Sequence, residues 1–186
     1  MKIILGSASP RRKELLQAAG FSFDIRVKDT DESYPTEMPS EEVALFVASK
    51  KLHALLEDLE DDTLLICADT TVVVDHDILN KPKDASQAKE MLQKLSGRAH
   101  NVITGVCIAS KQKSQSFSVI TRVHFKELSS AEIDFYIREF EPLDKAGSYG
   151  IQEWIGHTAI VRIEGSYNNV VGLPTHEVYE ALQSFL

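Results

Sequence analysis

The chain has 186 residues, of which 43% are hydrophobic and 26% are charged, and its formal net charge is −8. This length is sufficient for one large domain or two small lobes with a proper hydrophobic core. No apolar run approaches the ~20 residues that span a membrane, which excludes a membrane-spanning helix. The acidic charge argues against broad binding to a nucleic-acid backbone, but it leaves room for a small anion in a local basic pocket.

Cysteine and histidine usage bears on the cellular compartment and on the presence of a zinc site. Cys67 and Cys107 stand in apolar, strand-like runs and are expected to be buried thiols. The first residues show no signal-peptide pattern, and together with the thiols this predicts a reducing, cytoplasmic location. The six histidines show neither zinc-ligand spacing nor an HExxH motif, so a zinc site is not expected.

The N-terminal pattern predicts a strand over Ile3–Leu5 followed by a helix over 10–19. Ser9 suits the N-cap, and Pro10 suits the first helical position, where a missing N–H costs nothing. Gly20 suits the residue just past the end of the helix.

Basic residues crowd the start of this helix. The helix dipole favours acids in the first turn, but here Arg11, Arg12 and Lys13 occupy it. Backbone N–H groups, the hydroxyls of Ser7 and Ser9 and two guanidiniums at one spot would suit a polyanionic phosphate. The other interpretation is a solvated helix start with surface arginines, and the short motif taken alone favours it.

Further along the chain, apolar spacing, capping residues and turn signals predict alternating helices and strands. In the first half of the chain the predicted segments are a strand over 23–27, a loop over 29–39, a helix over 41–56 capped by Ser40, a buried strand over 64–68 and a hairpin turn over 75–77. A helix to 95 follows, with an Asp84/Gln87 capping box, and then a hairpin of strands over 100–109 and 116–125. The last predicted segments are a helix to 140 with a Ser129/Glu132 capping box, a strand over 160–163 and a helix over 174–185. This mixture predicts an α/β or α+β fold with a mixed sheet.

Two carboxylates are candidates for chemistry. Asp69 directly follows the buried run 64–68, and ligands in α/β sheets bind at strand ends. Glu32 lies in the polar loop with Asp29 and Asp31 nearby. Two carboxylates suit magnesium, which would bridge phosphate oxygens and lower the pKa of an attacking water. The alternative for Asp69 is a side chain that hydrogen-bonds its own loop.

Other polar side chains are weaker signals. Lys50 and Lys51 lie on the second predicted helix, Lys81 precedes Pro82, and each lysine taken singly is expected to be solvated. Gln152, in a glycine-containing stretch, offers both a donor and an acceptor to a base edge. No GxxxxGK[ST] loop occurs, which disfavours a P-loop ATPase.

Taken together, these segments resemble the Maf family of nucleoside triphosphate pyrophosphatases over residues 5–174. Six motifs in order are specific, whereas one alone would be weak. The motifs are Ser7-Ala8-Ser9-Pro10-Arg11-Arg12, Ala68-Asp69-Thr70, Lys81-Pro82, Ser96-Gly97-Arg98 with His100 and Thr104-Gly105, the stretch from Asp144 to Gln152, and Gly165-Ser166-Tyr167 with Asn169 to Pro174.

The resemblance implies hydrolysis between the α- and β-phosphates, giving a nucleoside monophosphate and pyrophosphate, with a divalent metal (Mg²⁺ or Mn²⁺). It implies one domain over 1–186 with an elongated, two-lobed, inosine-triphosphatase-like α/β fold around a central cleft. It also implies a cytoplasmic enzyme of nucleotide-pool sanitation that forms a homodimer. Gly-Ile-Gln at 150–152 resembles the branch that acts on dTTP and UTP rather than the branch that acts on 7-methyl-GTP.

The resemblance also implies roles for individual residues. Asp69 falls on the family's catalytic aspartate, and metal ligand and general base are competing roles that the sequence leaves open. Glu32 and Asp69 are the expected metal ligands. The expected catalytic residues are Asp69, Glu32, Lys51 and Lys81. The expected substrate contacts are Ser7, Arg11, Arg12, Thr70 and Gln152, of which Arg11, Thr70 and Gln152 fall on positions linked to base preference.

The chain departs from the family pattern at two places. Asn80 stands where glycine often precedes Lys-Pro, and Glu153-Trp154 stand where glycine often follows the glutamine. The departures bear on substrate preference, including modified pyrimidine triphosphates, and not on the reaction class. The alternative function is a nucleotide-binding regulator of cell division or septum formation that does not hydrolyse.

Overall fold

The computed structural model describes residues 1–185, which divide into two compact units. The first unit comprises residues 1–70, 104–119 and the C-terminal segment from Gly172. The second unit comprises Thr71–Ile103 and Ile120–Val171. No helix within the described range is long and apolar enough to cross a membrane. The single domain and central cleft that the resemblance implies stay predictions.

The secondary structure is a mixed sheet with helices between its strands. The sheet order is β2-β1-β3-β5-β6-β7, and β4 pairs with β3. The strands are β1 (Lys2–Leu5), β2 (Asp24–Ile25), β3 (Thr63–Val74), β4 (Asp77–Leu79), β5 (Ala99–Ala109), β6 (Ser114–Phe125) and β7 (Ile160–Glu164). The helices are α1 (Pro10–Ala18), α2 (Ser40–Leu56), α3 (Ala85–Leu95), α4 (Ser130–Phe140), α5 (Trp154–Thr158), α6 (Tyr167–Val171) and α7 (Thr175–Gln183).

Strand directions identify the fold class. β1 pairs in parallel with both β2 and β3, whereas β4 is antiparallel to β3 and β7 is antiparallel to β6. The predicted mixed-sheet α/β class is therefore confirmed. The predicted hairpin turn at 75–77 is also confirmed, since Val74 pairs with Asp77.

Within the first unit β3 is buried on both faces, because its side chains point alternately to two sides and each side is covered by helices. On one face, Leu64 and Ile66 of β3 share an apolar cluster with Leu16 of α1 and with α7. On the other face, Leu65 and Cys67 share a cluster with α2. Both cysteines of the chain are free and buried, as predicted. The same alternation decides where the polar residues after position 68 point.

The second unit has its own core, which includes a cluster of three rings. His100, Phe125 and Tyr149 pack edge to face, with ring centroids 5.0, 5.2 and 5.4 Å apart. The Nε2 atom of His100 lies 2.7 Å from the Tyr149 hydroxyl. Burial lowers the pKa of His100 to about 3, so the imidazole is neutral at pH 7. This cluster fixes the chain at Tyr149, just before the Gly-Ile-Gln sequence.

The predicted cap of α2 is wrong. Ser40 lies inside the helix, and Pro39 is the N-cap residue with no side-chain cap bond. Glu41 and Glu42 occupy the first turn, where their charge interacts favourably with the positive end of the helix dipole. The helix thus starts with acids in place of a side-chain cap.

The two predicted capping boxes differ in outcome. Ser129 and Glu132 form the complete box at the start of α4. At α3, the Asp84 carboxylate accepts from the Gln87 N–H at 2.8 Å. The Gln87 side chain, however, accepts from the Lys83 N–H at 2.7 Å and not from Asp84. The second box is therefore only half formed.

Candidate functional site

The start of α1 is built as the sequence predicts. Ser9 is the N-cap, and its hydroxyl accepts from the Arg12 N–H at 3.4 Å. Pro10 is the first helical residue, and the first turn contains no acid. Gly20 follows the helix with a φ of 88°, a left-handed conformation that glycine adopts without strain. The N-terminal amides of α1 therefore keep a positive dipole end with no acidic side chain in that turn.

Arg12 is held in place by four hydrogen bonds to oxygens of the first unit. Its Nε donates to the Gly172 carbonyl (2.8 Å), its Nη1 to the Ala68 carbonyl (2.8 Å) and the Ser7 hydroxyl (3.3 Å), and its Nη2 to the Thr70 hydroxyl (2.9 Å). All four acceptors are uncharged. The guanidinium is thus fixed in orientation, although no carboxylate among the described residues 1–185 forms a direct ion pair with it.

The electrostatic setting of Arg12 favours an anionic ligand. Burial lowers the pKa of its guanidinium, and the charges of Asp69 and Glu32 act in the opposite direction. Within residues 1–185, no carboxylate hydrogen-bonds to Arg12. In a desolvated environment, a guanidinium N–H forms a stronger, charge-assisted hydrogen bond with a phosphate oxygen than with water. Arg12 and the start of α1 can therefore bind a phosphate group together.

Asp69 and Thr70 are neighbours in sequence, but their side chains point to opposite faces of β3. Asp69 continues the face of Leu65 and Cys67, where α2 packs, and its Oδ1 accepts from Lys51 Nζ at 2.7 Å. Thr70 points to the face of α1, where it accepts from Arg12. Its hydroxyl also lies 2.9 Å from that of Thr104 on β5.

The sequence prediction that Asp69 lies past the end of its strand is wrong. β3 continues to Val74, which places Asp69 within the strand. The parallel pairing with β1, however, ends where Leu5 is opposite Ile66. Asp69 therefore lies beyond the carboxyl end of the neighbouring strand, and such ends are where α/β sheets present their ligands.

Lys51 of α2 connects the two candidate carboxylates. Its Nζ lies 2.7 Å from Asp69 Oδ1 and 2.8 Å from Glu32 Oε1. The Lys51 and Asp69 side chains are only 18% and 17% exposed, whereas Glu32 is 59% exposed. The preceding lysine, Lys50, binds Asp31 at 2.9 Å, so two successive residues of α2 hold the loop that contains Glu32. Two carboxylates and one ammonium thus meet next to β3.

This arrangement also fits a divalent cation. One oxygen of each carboxylate lies within hydrogen-bond distance of Lys51 Nζ. A positive charge, the Lys51 ammonium, thus already occupies the point between them. Mg²⁺ in proteins is held by one or two carboxylates plus substrate phosphates and waters. Among residues 1–185, no group of three or more His, Cys, Asp or Glu side chains is positioned to hold a metal. Substrate oxygens would have to complete the coordination.

Two contributors to this site lie in motifs of the resemblance but were assigned no role from the sequence. Gly172 accepts from Arg12 Nε through its carbonyl, and Thr104 faces Thr70. Gly172 has a φ of 134°, which other residues rarely adopt. The presence of glycine at this position was therefore the signal that the sequence offered. Thr104 is fully buried, and no local pattern distinguishes it from a core threonine.

The remaining predicted site residues lie elsewhere in the chain. Arg11 is half-buried on the first turn of α1, next to Arg12. Lys81 and Gln152 belong to the second unit, and both are exposed. The structure thus brings together Ser7, Arg12, Asp69, Thr70, Lys51 and Glu32 in the first unit.

Comparison with known proteins gives a consistent result. Residues 2–185 match the family model described as Maf-like protein. The chain is 50% identical to the dTTP/UTP pyrophosphatase of Porphyromonas gingivalis, over 99% of this chain and 94% of that one. It is 48% identical to the dTTP/UTP pyrophosphatase of Phocaeicola vulgatus, over 98% and 95%. The solved structure of the Staphylococcus aureus Ham1 protein shares the fold, with a TM-score of 0.50 and 13% identity, over 67% of this chain and 72% of that one.

Proposed function

The chain belongs to the Maf family, and from this premise we propose that it is a nucleoside triphosphate pyrophosphatase that acts on dTTP and UTP. The proposed reaction cleaves the bond between the α- and β-phosphates and releases pyrophosphate. The names of its relatives support the substrate pair. The observation that carries the proposal is that a fixed guanidinium, Arg12, interacts electrostatically with Asp69 and Glu32, which both bind Lys51.

Phosphate recognition is assigned to the start of α1. The backbone amides, Ser7 and Arg12 bind phosphate oxygens, because they supply fixed donors and positive charge. Lys51 and Lys81 offset the remaining charge of the triphosphate. Arg11, Thr70 and Gln152 contribute to the choice of base. Phosphoryl chemistry depends mainly on such positioning and charge stabilisation.

Asp69 and Glu32 are the proposed ligands of a divalent cation, Mg²⁺ or Mn²⁺. When bound, such an ion would stabilise phosphate charge and lower the pKa of a water molecule. For these carboxylates to bind it, the Lys51 ammonium has to yield its place between them. Asp69 can also accept the proton of the attacking water, and Mn²⁺ binding to the Asp69→Asn variant separates these two roles.

Pyrophosphate release tests the proposed function directly. The purified protein with Mg²⁺ is expected to release pyrophosphate from dTTP and UTP at least about tenfold faster than from ATP, GTP or CTP at equal low concentration. The measurement is a coupled phosphate assay with product identification by chromatography. Nucleotide binding without any release would favour the non-hydrolytic regulator instead. Equal rates on purine triphosphates would contradict the assignment to pyrimidine nucleotides.

Gln152→Ala tests base recognition. The change is expected to lower kcat/KM for dTTP and UTP by about 3- to 10-fold, because one or two hydrogen bonds to the base edge are lost. The melting temperature should stay unchanged, since Gln152 is exposed. Gln93→Ala, an exposed glutamine of α3 in the same unit, is the matched control. Equal losses in the two variants would contradict the role of Gln152.

We further place the enzyme in the cytoplasm as a homodimer. The free, buried cysteines are compatible with a reducing compartment. Light scattering after size exclusion measures the mass in solution, and a monomer would contradict the dimer.

A further inference from the structure

Gln152 lies at the corner of a tight turn in the second unit. The Glu153 N–H donates to the Gly150 carbonyl at 3.0 Å, which closes the turn Gly150–Glu153. Gly150 and Ile151 are buried, whereas the Gln152 side chain is exposed. The turn therefore presents one polar side chain outward on a backbone that is packed from behind.

One phenol hydroxyl contacts both ends of this turn. Tyr136 of α4 is fully buried, and its oxygen accepts from the Gly150 N–H at 3.0 Å. The same hydroxyl donates to Glu153 Oε2. The Tyr136 hydroxyl thus connects the first and last residues of the turn to α4 and fixes the orientation of the turn relative to this helix.

Lys145 completes the support. Its Nζ lies 3.0 Å from Glu153 Oε1 and 2.7 Å from Asp144 Oδ1, with the Lys145 side chain 11% exposed and that of Glu153 20% exposed. Desolvating such a pair offsets much of its Coulomb attraction, so it contributes more to a defined geometry than to stability. Both oxygens of the Glu153 carboxylate are thereby engaged by this unit itself.

Close packing removes the remaining freedom of the turn. A Cβ at Gly150 would lie 2.8 Å from Glu153 Cδ, so the carboxylate rests directly against the glycine backbone. A Cβ at Gly156 of α5 would overlap the Ile151 carbonyl oxygen. No larger residue fits at Gly156 without moving the backbone of the turn, whereas a side chain at Gly150 would displace the Glu153 carboxylate.

We propose that Tyr136 and Glu153 are positioning residues for recognition of the pyrimidine base, holding the turn of Gln152 in one conformation before the nucleotide binds. This inference rests on the proposed function and on the role of Gln152 in it. A turn that is ordered in advance loses less conformational entropy on binding, so its hydrogen bonds contribute more to affinity. In this assignment neither side chain touches the phosphates, so their effect is confined to the base.

Tyr136→Phe is the first test. It keeps the ring and removes the hydroxyl that joins Gly150 to Glu153. We expect the KM for dTTP to rise about 3- to 10-fold while kcat stays within about twofold. The Ki of inorganic tripolyphosphate as a competitive inhibitor should not change, because that ligand has no base. Tyr179→Phe, at an exposed tyrosine of the other unit, is the matched control.

Glu153→Gln is the second variant, in case the first does not fold. It keeps size and one acceptor but removes the charge opposite Lys145. We expect a smaller rise in the dTTP KM, again with an unchanged tripolyphosphate Ki. For either folded variant, an unchanged dTTP KM, or a tripolyphosphate Ki that rises as much as the KM, would overturn the proposal.

Binding of the product-like dTMP separates this inference from the proposed function. Trp154, the sole tryptophan, follows Glu153 and packs against Phe135 with ring centroids 5.0 Å apart. Its fluorescence therefore reports on the turn without any hydrolysis. The Kd of dTMP should rise about 3- to 10-fold in Tyr136→Phe, and an unchanged Kd would overturn the inference. Tight dTMP binding by a wild type that releases no pyrophosphate would instead refute the hydrolytic function alone.

Discussion

Asp69→Asn is expected to lower kcat for dTTP by at least about 100-fold, because one carboxylate that positions the cation or accepts a proton is lost. The fold should survive. Asp69 binds Lys51, which keeps its second partner, Glu32, and the amide remains a hydrogen-bond acceptor for the lysine. We expect a loss of about 1 kcal/mol in the free energy of unfolding, or roughly 2–4 °C in Tm. Steady-state kinetics and calorimetry measure the two effects.

The matched control for this prediction is Asp61→Asn. Asp61 makes the same kind of ion pair, with Lys111 at 2.8 Å, but its side chain is 85% exposed. The control should keep wild-type turnover. A near-normal kcat in Asp69→Asn would contradict the assignment of this residue to the chemistry.

Binding of Mn²⁺ to the protein saturated with a non-hydrolysable dTTP analogue, followed by electron paramagnetic resonance, separates the two roles of Asp69. A metal ligand predicts weaker Mn²⁺ binding in Asp69→Asn than in the wild type. A general base alone predicts unchanged Mn²⁺ binding together with low turnover. Glu32→Gln supplies the reference, because Glu32 is assigned to the cation only.

Local signals predicted the half of the site that is continuous in sequence. Ser9 and Pro10 identify the helix start, and the basic residues in the first turn predict a place for an anion. Asp69 was found for a reason that was partly wrong, since the strand continues past it. The neighbouring strand β1 is the one that ends, and strand pairing is a tertiary property that an apolar run does not reveal.

The contacts across long sequence separations were not predictable in the same way. Lys51 meets Glu32 through a loop without regular structure, and Arg12 meets Gly172 across most of the chain. Such pairs depend on how α1 and α2 pack on opposite faces of β3. The alternation of Asp69 and Thr70 between these faces would have been readable from the sequence if the strand had been extended to Val74.

Arg12→Lys is expected to have the second large effect, because the change keeps the charge but removes the planar fork. Arg12 donates to four oxygens, including the carbonyls of Ala68 and Gly172, and an ammonium cannot reach all of them. We expect kcat/KM for dTTP to fall by at least about 100-fold, since a charge-assisted contact with phosphate from a fixed guanidinium is lost. The free energy of unfolding should fall by about 2 kcal/mol, or roughly 4–8 °C in Tm.

Lys13→Ala is the control for Arg12→Lys, because Lys13 lies on the same turn and is exposed. The Ki of tripolyphosphate should rise at least about tenfold in Arg12→Lys and stay unchanged in the control. This inhibitor also distinguishes phosphate binding from base recognition: Arg12 should control its affinity, whereas Tyr136 should not. If Arg12→Lys bound tripolyphosphate like the wild type, the guanidinium would only be a structural brace between β3 and Gly172, and the phosphate would have to be bound elsewhere.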